Sequence, residues 1–319
     1  MHPVSEPPIV NRITEMLGVE RPIVQAPMGY IARAQLASAV SEAGGLGIIE
    51  TSSGELDVIR GEIAKMRDLT DRPFGVNIAQ LFVNEPGDFV DLIVEAGVRF
   101  VTTSAGDPRR LTGALKEAGL TVFHVVPSLK GALRAVDAGV DGLVVEGNEG
   151  GGFKDPRGAS TMVLLPLVAS RVDVPIVAAG GIDDGRSMAA AFVLGAEGVQ
   201  MGTRMLASAE SPIHDNWKSA VVSACEMDTV MLNRFSRPGI RALVTERTLS
   251  LERYDHVSGA DYGAIHELYF GGDLEAAVPF GGQVAGRIDG VRPVRDILDA
   301  TMEEFAAAMR EIAKRYAGG

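Results

Sequence analysis

Eight short apolar runs, separated by stretches with helical character, predict that this chain of 319 residues is an α/β protein with a (β/α)8, or TIM, barrel. The runs are nearly continuous in apolar character rather than alternating, which is typical of parallel strands covered on both faces. Glycine is also abundant, at 38 residues, about 12% of the chain against a usual share of about 7%. These glycines lie between the apolar runs, which indicates many tight turns.

The predicted strands follow one another with regular spacing. In chain order they are Ile23–Met28, Leu46–Glu50, Phe74–Ala79, Phe100–Ala105, Thr121–Val126, Gly142–Gly147, Pro175–Gly181 and Gly198–Thr203. An open doubly wound sheet would give the same alternation, because a sequence does not show whether a sheet closes. The glycine pattern of dinucleotide-binding sheets is missing after the first strand, where PIVQAPMG has one glycine, and this disfavours the open alternative.

The helices ahead of five strands end in similar glycine-containing segments. These are Ser41–Gly45, Val94–Gly97, Lys116–Gly119, Val136–Gly139 and Leu194–Gly198. In each, a glycine falls where the residue after a helix takes up a left-handed conformation. Intervals of 22 residues from Gly97 to Gly119 and 20 from Gly119 to Gly139 fit one helix, two turns and one strand.

The regular alternation stops after the eighth strand. Residues 205–286 contain helical stretches and loops, and they predict a mainly helical insertion beside the carboxyl ends of the strands, where it would act as a lid. Val294–Tyr316 is amphipathic and predicts the eighth barrel helix. The expected domains are therefore a barrel of residues 1–204 and 287–319 and a lid of residues 205–286.

Composition excludes several classes of function. The net charge of −12 disfavours a protein that binds nucleic acid or acidic membranes without specificity. Cys225 is the single cysteine, so neither a disulfide within the chain nor a cysteine-rich zinc site is expected, and no metal-binding or hydrolase motif appears. The N-terminal residues lack a signal-peptide pattern and no run of 18 apolar residues follows, which predicts a soluble, cytoplasmic protein.

Glycine turns end the seventh and eighth strands, at Ala178–Gly185 and Met201–Arg204. This is where barrels often bind phosphate through backbone N–H groups, although such glycines can also serve tight turns alone. A third glycine-rich segment, Glu146–Asp155, follows the sixth strand and either accommodates a flat ring system or is a plain loop. Together they favour a phosphate-bearing cofactor that brings its own reactivity.

Histidines give weaker signals. His124 lies inside the fifth strand, where a buried structural role is as plausible as a catalytic one. His214 follows the eighth strand and is equally compatible with helix capping.

Several motifs occur in an order that resembles the nitronate monooxygenase (formerly 2-nitropropane dioxygenase) family. That family includes FMN-dependent enoyl-acyl-carrier-protein reductases and NADH:quinone reductases. The resemblance runs from about Ile13 to the last helix, and it is carried by PIVQAPMG, AGGLGII, LTDRPFGVNI, VTTSAGDP, EGNEGGGF, VPIVAAGGIDDGRSMAAAFVLGAEGVQMGTR, ESPIH and GGQVAG.

The resemblance implies a barrel that binds FMN at its C-terminal face under a helical lid. By position, the residues beside the isoalloxazine ring would be Ala26, Pro27 and Met28, with Gly151 and Gly152 on its other side. Asn77 would hydrogen-bond the flavin, and Gln283 would approach from the lid. The phosphate would be bound by Ala179, Gly180, Gly181, Gly202 and Thr203.

One departure from the family pattern concerns catalysis. Where the family usually reads EAGGH, with a histidine that acts as base or acid, this chain reads EGGGF, so Phe153 stands at the histidine position. Phenylalanine cannot transfer a proton, and general acid–base catalysis typically contributes about 10²–10⁴-fold. Hydride transfer from NADH or NADPH to a flavin needs no protein base and is unaffected.

Three functions are compatible with these observations. The first is an FMN-dependent NAD(P)H oxidoreductase with a broad or unknown electron acceptor, whose small-molecule substrate would be a nitronate, an enoyl thioester or a quinone-like acceptor. The second is nitronate oxidation with O2, either with His124 or another group as base or with a nitronate that is already deprotonated. The third is a flavin-binding protein that has lost catalysis. The oligomeric state stays open, with a homodimer among the options.

Overall fold

The computed structural model describes residues 9–52, 55–82 and 86–318, and it contains eleven strands. They are β1 (Ile23–Gln25), β2 (Gly47–Ile49), β3 (Phe74–Ala79), β4 (Phe100–Ser104), β5 (Thr121–Val126), β6 (Gly142–Glu146), β7 (Gly152–Lys154), β8 (Ile176–Ala179), β9 (Gly198–Met201), β10 (Thr229–Leu232) and β11 (Gly239–Leu243). All except β7, β10 and β11 belong to one parallel sheet, and these eight correspond to the eight predicted strands.

The parallel sheet closes into a barrel. Its strand order is β1-β9-β8-β6-β5-β4-β3-β2. The two end strands are joined because the Gln25 N–H donates to the Leu46 carbonyl at 3.0 Å and the Leu46 N–H donates to the Ile23 carbonyl at 2.9 Å. The predicted (β/α)8 barrel is therefore confirmed, and the open sheet is excluded.

Helices surround the barrel, and the last of them has the predicted bounds Val294–Tyr316. They are α1 (Arg12–Leu17), α2 (Ala34–Glu42), α3 (Leu56–Leu69), α4 (Pro86–Glu95), α5 (Thr112–Glu117), α6 (Leu129–Asp137), α7 (Thr161–Ala169), α8 (Gly185–Val193), α9 (Thr203–Leu206), α10 (Asp215–Ser223), α11 (Glu246–Leu251), α12 (Ile265–Tyr269) and α13 (Val294–Tyr316). The glycines predicted to follow five of them have positive φ at Gly44, Gly97, Gly119, Gly139 and Gly195. In the described part of the chain, no helix is both long enough and apolar enough to cross a bilayer.

The barrel interior is a packed core rather than a pore. Inward-facing side chains of the strands form it, with Phe100 and Phe123 in edge-to-face contact at 5.2 Å between ring centroids. Ile13 and Leu17 of α1 join this core beside Gly198, the first residue of β9, and they close the N-terminal end. A ligand of the barrel is therefore expected at the opposite end, where the strands finish.

The insertion contains a small sheet that the sequence did not predict. β10 and β11 pair antiparallel, and β11 also pairs antiparallel with β7 from the glycine-rich segment. Residues 205–286 are thus less uniformly helical than expected. The sequence did not reveal this sheet because β10 and β11 are short and because β7 pairs with a strand more than 80 residues further along the chain.

Candidate active site

The ends of β1 and β9 lie together at the C-terminal face. The Ala26 N–H donates to the Met201 carbonyl at 2.9 Å. A Cβ atom added at Gly202 would lie 3.5 Å from the Ala26 Cβ and 3.9 Å from the Met28 Sδ. Gly202, which was predicted to contact the FMN phosphate, therefore lies next to the segment predicted to lie beside the isoalloxazine ring, Ala26, Pro27 and Met28.

The turn after β8 has two consecutive glycines in the left-handed region, Gly180 with φ +86° and Gly181 with φ +79°. A Cβ at Gly180 would lie 2.8 Å from the Gly147 carbonyl oxygen, so close packing against the end of β6 already requires this glycine. At Gly181 the nearest atom would be 3.6 Å away, on Glu149. The left-handed conformation accounts for glycine at both positions. At Gly181 the backbone also has room for an approaching anion.

The insertion reaches this cluster through residues 281–283. The Gly282 N–H donates to the Thr203 Oγ1 at 2.9 Å, and the Gln283 N–H donates to the Glu149 carbonyl at 2.9 Å. A Cβ at Gly151 would lie 2.8 Å from the Gly281 carbonyl carbon. The predicted residues Gly151, Thr203 and Gln283 are thus brought together, with Gly152 next to them at the start of β7.

Polar side chains face the barrel interior near the strand ends. Asn77 donates through Nδ2 to the Thr102 Oγ1 at 2.9 Å and is 2% exposed. Gln200 of β9 is buried, and its Oε1 has no hydrogen-bond partner among the described residues. Buried polar atoms are normally paired, so an orphaned acceptor indicates a missing donor. Sequence reasoning did not identify Gln200, although a glutamine in the apolar segment GVQM was an available signal.

His124 lies outside this cluster. It shares its side of β5 with Val122 and Val126, which belong to the core between strands and helices, whereas Phe123 faces the interior. Its Nδ1 is 2.7 Å from the Thr103 Oγ1. Burial lowers the pKa of His124 to about 4, against an opposing effect of Asp107. His124 is therefore a neutral, structurally bonded histidine away from the strand ends, and His214 caps α10 by accepting from the Asn216 N–H at 3.1 Å.

Phe153 belongs to a group of four aromatic residues that we call the aromatic wall: Phe82, Phe153, Tyr262 and Phe280. The Phe153 ring centroid lies 6.0 Å from that of Phe82, 6.1 Å from Tyr262 and 5.7 Å from Phe280. Phe82 follows β3, and Tyr262 and Phe280 come from the insertion. At the position of the family histidine, the chain therefore has an apolar surface to which the segment after β3, the glycine-rich loop and the insertion all contribute.

Lys154 and Glu146 form an ion pair that sequence reasoning did not identify. Glu146 ends β6 on the interior side shared with Val144, and the Lys154 Nζ donates to its Oε1. The Lys154 side chain is 4% exposed and that of Glu146 is 25% exposed. The signal in the sequence was a lysine next to the substituted histidine position.

Asp183 lies just beyond the glycine turn, 3.1 Å from Arg287. Burial raises the pKa of Asp183 to about 6, and the Arg287 charge opposes this shift. Because the folded pKa exceeds the ordinary value of 3.8, burial favours the protonated form, and stability is lost as pH rises through about 6.

We therefore expect Asp183→Asn to raise the melting temperature at pH 7. The gain should correspond to on the order of 2 kcal/mol and disappear below pH 4, where the wild-type carboxyl is protonated in both states. Thermal denaturation of both proteins between pH 4 and pH 8 measures this difference. A difference that does not depend on pH would contradict the assignment.

Within the described ranges, no three His, Cys, Asp or Glu side chains converge as metal ligands. The assembled features are a glycine turn with an accessible backbone, an orphaned acceptor facing the interior, a glycine-rich loop and an aromatic wall. They fit a flat, phosphate-bearing cofactor such as FMN better than a metal.

Comparison with known proteins gives concordant results. The sequence profile described as nitronate monooxygenase matches residues 11–88 and 84–304. One relative is the (3aS,4S,5R,7aS)-5-hydroxy-7a-methyl-1-oxo-octahydro-1H-indene-4-carboxyl-CoA dehydrogenase of Mycobacterium tuberculosis. The two sequences are 39% identical over 250 residues, which cover 77% of this chain and 70% of the relative. It is 32% identical to a probable nitronate monooxygenase of Staphylococcus saprophyticus, covering 77% and 81% of the two chains. FabK from Thermotoga maritima superimposes with a TM-score of 0.90 at 38% identity, covering 96% of this chain and 99% of that one.

Proposed function

Because this chain belongs to the nitronate monooxygenase family, we propose that it is an FMN-dependent oxidoreductase, with NADH or NADPH as electron donor and a small organic molecule as acceptor. The observation that carries the proposal is the aromatic wall at the histidine position. A site without a base there suits hydride transfer, whereas removing a proton from carbon requires a base.

The contacts described above support FMN as the cofactor. Ala179, Gly180, Gly181, Gly202 and Thr203 would bind the phosphate, since glycine lets backbone N–H groups approach an anion closely. Asn77 and the orphaned Gln200 acceptor would bind the polar edge of the ring system. When bound, FMN would supply the redox chemistry that the side chains lack.

The insertion is proposed to cover this site. Residues 281–283 bond to Thr203 and Glu149, and Tyr262 and Phe280 contribute two of the four rings of the aromatic wall. These side chains would exclude water from the reacting centre and bind an apolar part of the acceptor. The relative from Mycobacterium tuberculosis is named for a bicyclic acyl-CoA thioester, and we include thioesters of this kind among the proposed substrates.

Anaerobic reduction of the purified protein tests the proposal. We expect the protein to be yellow and NADH or NADPH to bleach its visible flavin absorbance without any other substrate. A colourless protein whose melting temperature is unchanged by FMN would refute the cofactor. Flavin that neither nicotinamide bleaches would instead support a flavin-binding protein without catalysis.

Nitronate oxidation is the second candidate, favoured by the family profile. A nitronate is already deprotonated, so its oxidation would not need the missing histidine. Oxygen consumption with propionate-3-nitronate decides this point, and a rate no higher than background excludes it.

A further inference from the structure

The second half of α13 carries an apolar stripe that extends past the packed part of the helix. Its members recur at intervals of four, three and four residues, which places them on one face, and we call Phe305, Met309, Ile312 and Tyr316 the α13 stripe. The Phe305 ring packs against Phe192 of α8, with 4.9 Å between ring centroids. From Met309 onwards every residue of the helix is exposed, and the fraction reaches 44% at Ile312 and 80% at Tyr316. Three large side chains of the stripe therefore face water.

The α13 stripe continues the face by which this helix packs on the barrel. In the first half of α13 that face is buried, at Val294, Ile297, Leu298 and Thr301. Leu298 and Thr301 precede Phe305 by seven and four residues, so the buried and exposed parts form one line along the helix. Helices in proteins owe most of their stability to packing of the apolar face. A contiguous apolar surface that stays exposed marks an interaction site.

The row of residues beside the stripe indicates which partner fits. Each of its members precedes a stripe residue by one position, so the row runs parallel to the stripe: Glu304, Ala308, Glu311 and Arg315. Glu304 lies at one end of the row and Arg315 at the other. In an antiparallel pair of α13 helices related by a two-fold axis, each row faces its own reverse. Arg315 of each copy then lies opposite Glu304 of the other, so the row is complementary to itself in charge.

Both charged groups are accessible for this contact. Arg315 pairs with Glu311 in the same helix, and both side chains remain more than half exposed. A guanidinium has five N–H donors and can bind a second carboxylate as well. Glu304 is exposed and accepts from the Gly185 N–H at 3.1 Å, which leaves its carboxylate with further acceptor sites. The net charge of −12 disfavours an acidic membrane surface as the alternative partner.

We propose that a second copy of this chain docks on α13, and that the two helices pair antiparallel through their stripes. The dimer buries Met309, Ile312 and Tyr316 and joins Arg315 of each copy to Glu304 of the other. Two helices in contact over about three turns form a small interface, since a standard one buries about 800 Å² on each partner. The association is therefore reversible, with a dissociation constant on the order of 10–100 µM.

Sedimentation velocity of the full chain, at concentrations from well below to well above this constant, measures the association. Ile312→Glu places a carboxylate in the middle of the stripe, and we expect it to raise the dissociation constant at least about 30-fold. Ala307→Glu is the matched control, because it adds the same charge at an exposed position on the opposite side of α13. This control should change the constant less than about threefold.

Charge reversal tests which residues face each other. Arg315→Glu should weaken association about 3- to 10-fold, because carboxylates then meet at both ends of the interface. Adding Glu304→Lys to this variant restores opposite charges, and the constant should return to within about threefold of the wild type. A parallel pair would not show this rescue, since positions 304 and 315 would lie about 16 Å apart along the helices.

Three results would overturn the inference. The first is a wild type that stays monomeric at every concentration, and the second is an equal effect of Ile312→Glu and Ala307→Glu. The third is a double variant that associates as weakly as Arg315→Glu, which excludes antiparallel pairing. Flotation with vesicles of phosphatidylcholine and phosphatidylglycerol tests the other occupant. A monomeric wild type that binds these vesicles, with binding lost in Ile312→Glu alone, would assign the α13 stripe to a membrane surface instead.

Discussion

Gly202→Asp is expected to fold normally and to bind FMN at least about 100-fold more weakly than the wild type. The new Cβ would meet only ordinary contacts, at 3.5 Å and 3.9 Å. Gly202 also occupies the N-cap of α9, where aspartate is a favoured residue. The carboxylate would nevertheless lie beside the proposed phosphate site. At an effective dielectric constant of about 20, a carboxylate and a phosphate dianion about 6 Å apart repel by roughly 5 kcal/mol.

Gly202→Asn is the matched control, because it adds the same volume without the charge. FMN affinity is measured by fluorescence titration of the apoprotein, and thermal denaturation checks the fold. We expect the asparagine variant to lose much less affinity than the aspartate variant. Equal losses in the two variants would show that bulk rather than charge matters, and unchanged affinity in both would remove Gly202 from the phosphate site.

Phe153→His is expected to raise turnover of a neutral nitroalkane by at least about tenfold. A histidine at this position would supply the base that the family pattern contains, and such groups typically contribute about 10²–10⁴-fold. The rings of Phe82, Tyr262 and Phe280 surround the position, and apolar surroundings favour the neutral imidazole, which is the form that accepts a proton. Turnover of the corresponding nitronate should change less than about twofold, because this substrate needs no base.

Phe280→His is the control for this experiment. It introduces a histidine into the same aromatic wall, 5.7 Å from the Phe153 ring centroid, but away from the family position. Initial rates of oxygen consumption with a nitroalkane and its nitronate distinguish the variants. If both histidines raise the rate equally, the position of the family histidine has no special role in this chain.

The barrel could be predicted because its signals are local. Each strand is an apolar run, and each of five helices is ended by a glycine such as Gly119 or Gly139, so neighbouring residues determine both. Val294–Tyr316 was predicted with its exact bounds, since an amphipathic stripe over 23 residues has few alternatives.

The rest depended on contacts that are distant in the chain. The pairing of Ile240 with Phe153 connects the insertion to the glycine-rich loop, and no local pattern announces it. The orientation of His124 depends on which side of β5 faces the barrel interior. A strand that is apolar on both sides does not indicate this side in its sequence. Gln200 and Lys154 became visible once burial and partners were known.

The small sheet has a consequence for engineering. β7 carries Phe153 and Lys154, yet its neighbour in that sheet, β11, belongs to the insertion. An insertion transplanted from a relative would bring a foreign β11 and reset the register of both residues. To exchange substrate preference between family members, residues 146–154 and 229–283 should therefore be replaced together, and the eight-stranded barrel should be left unchanged.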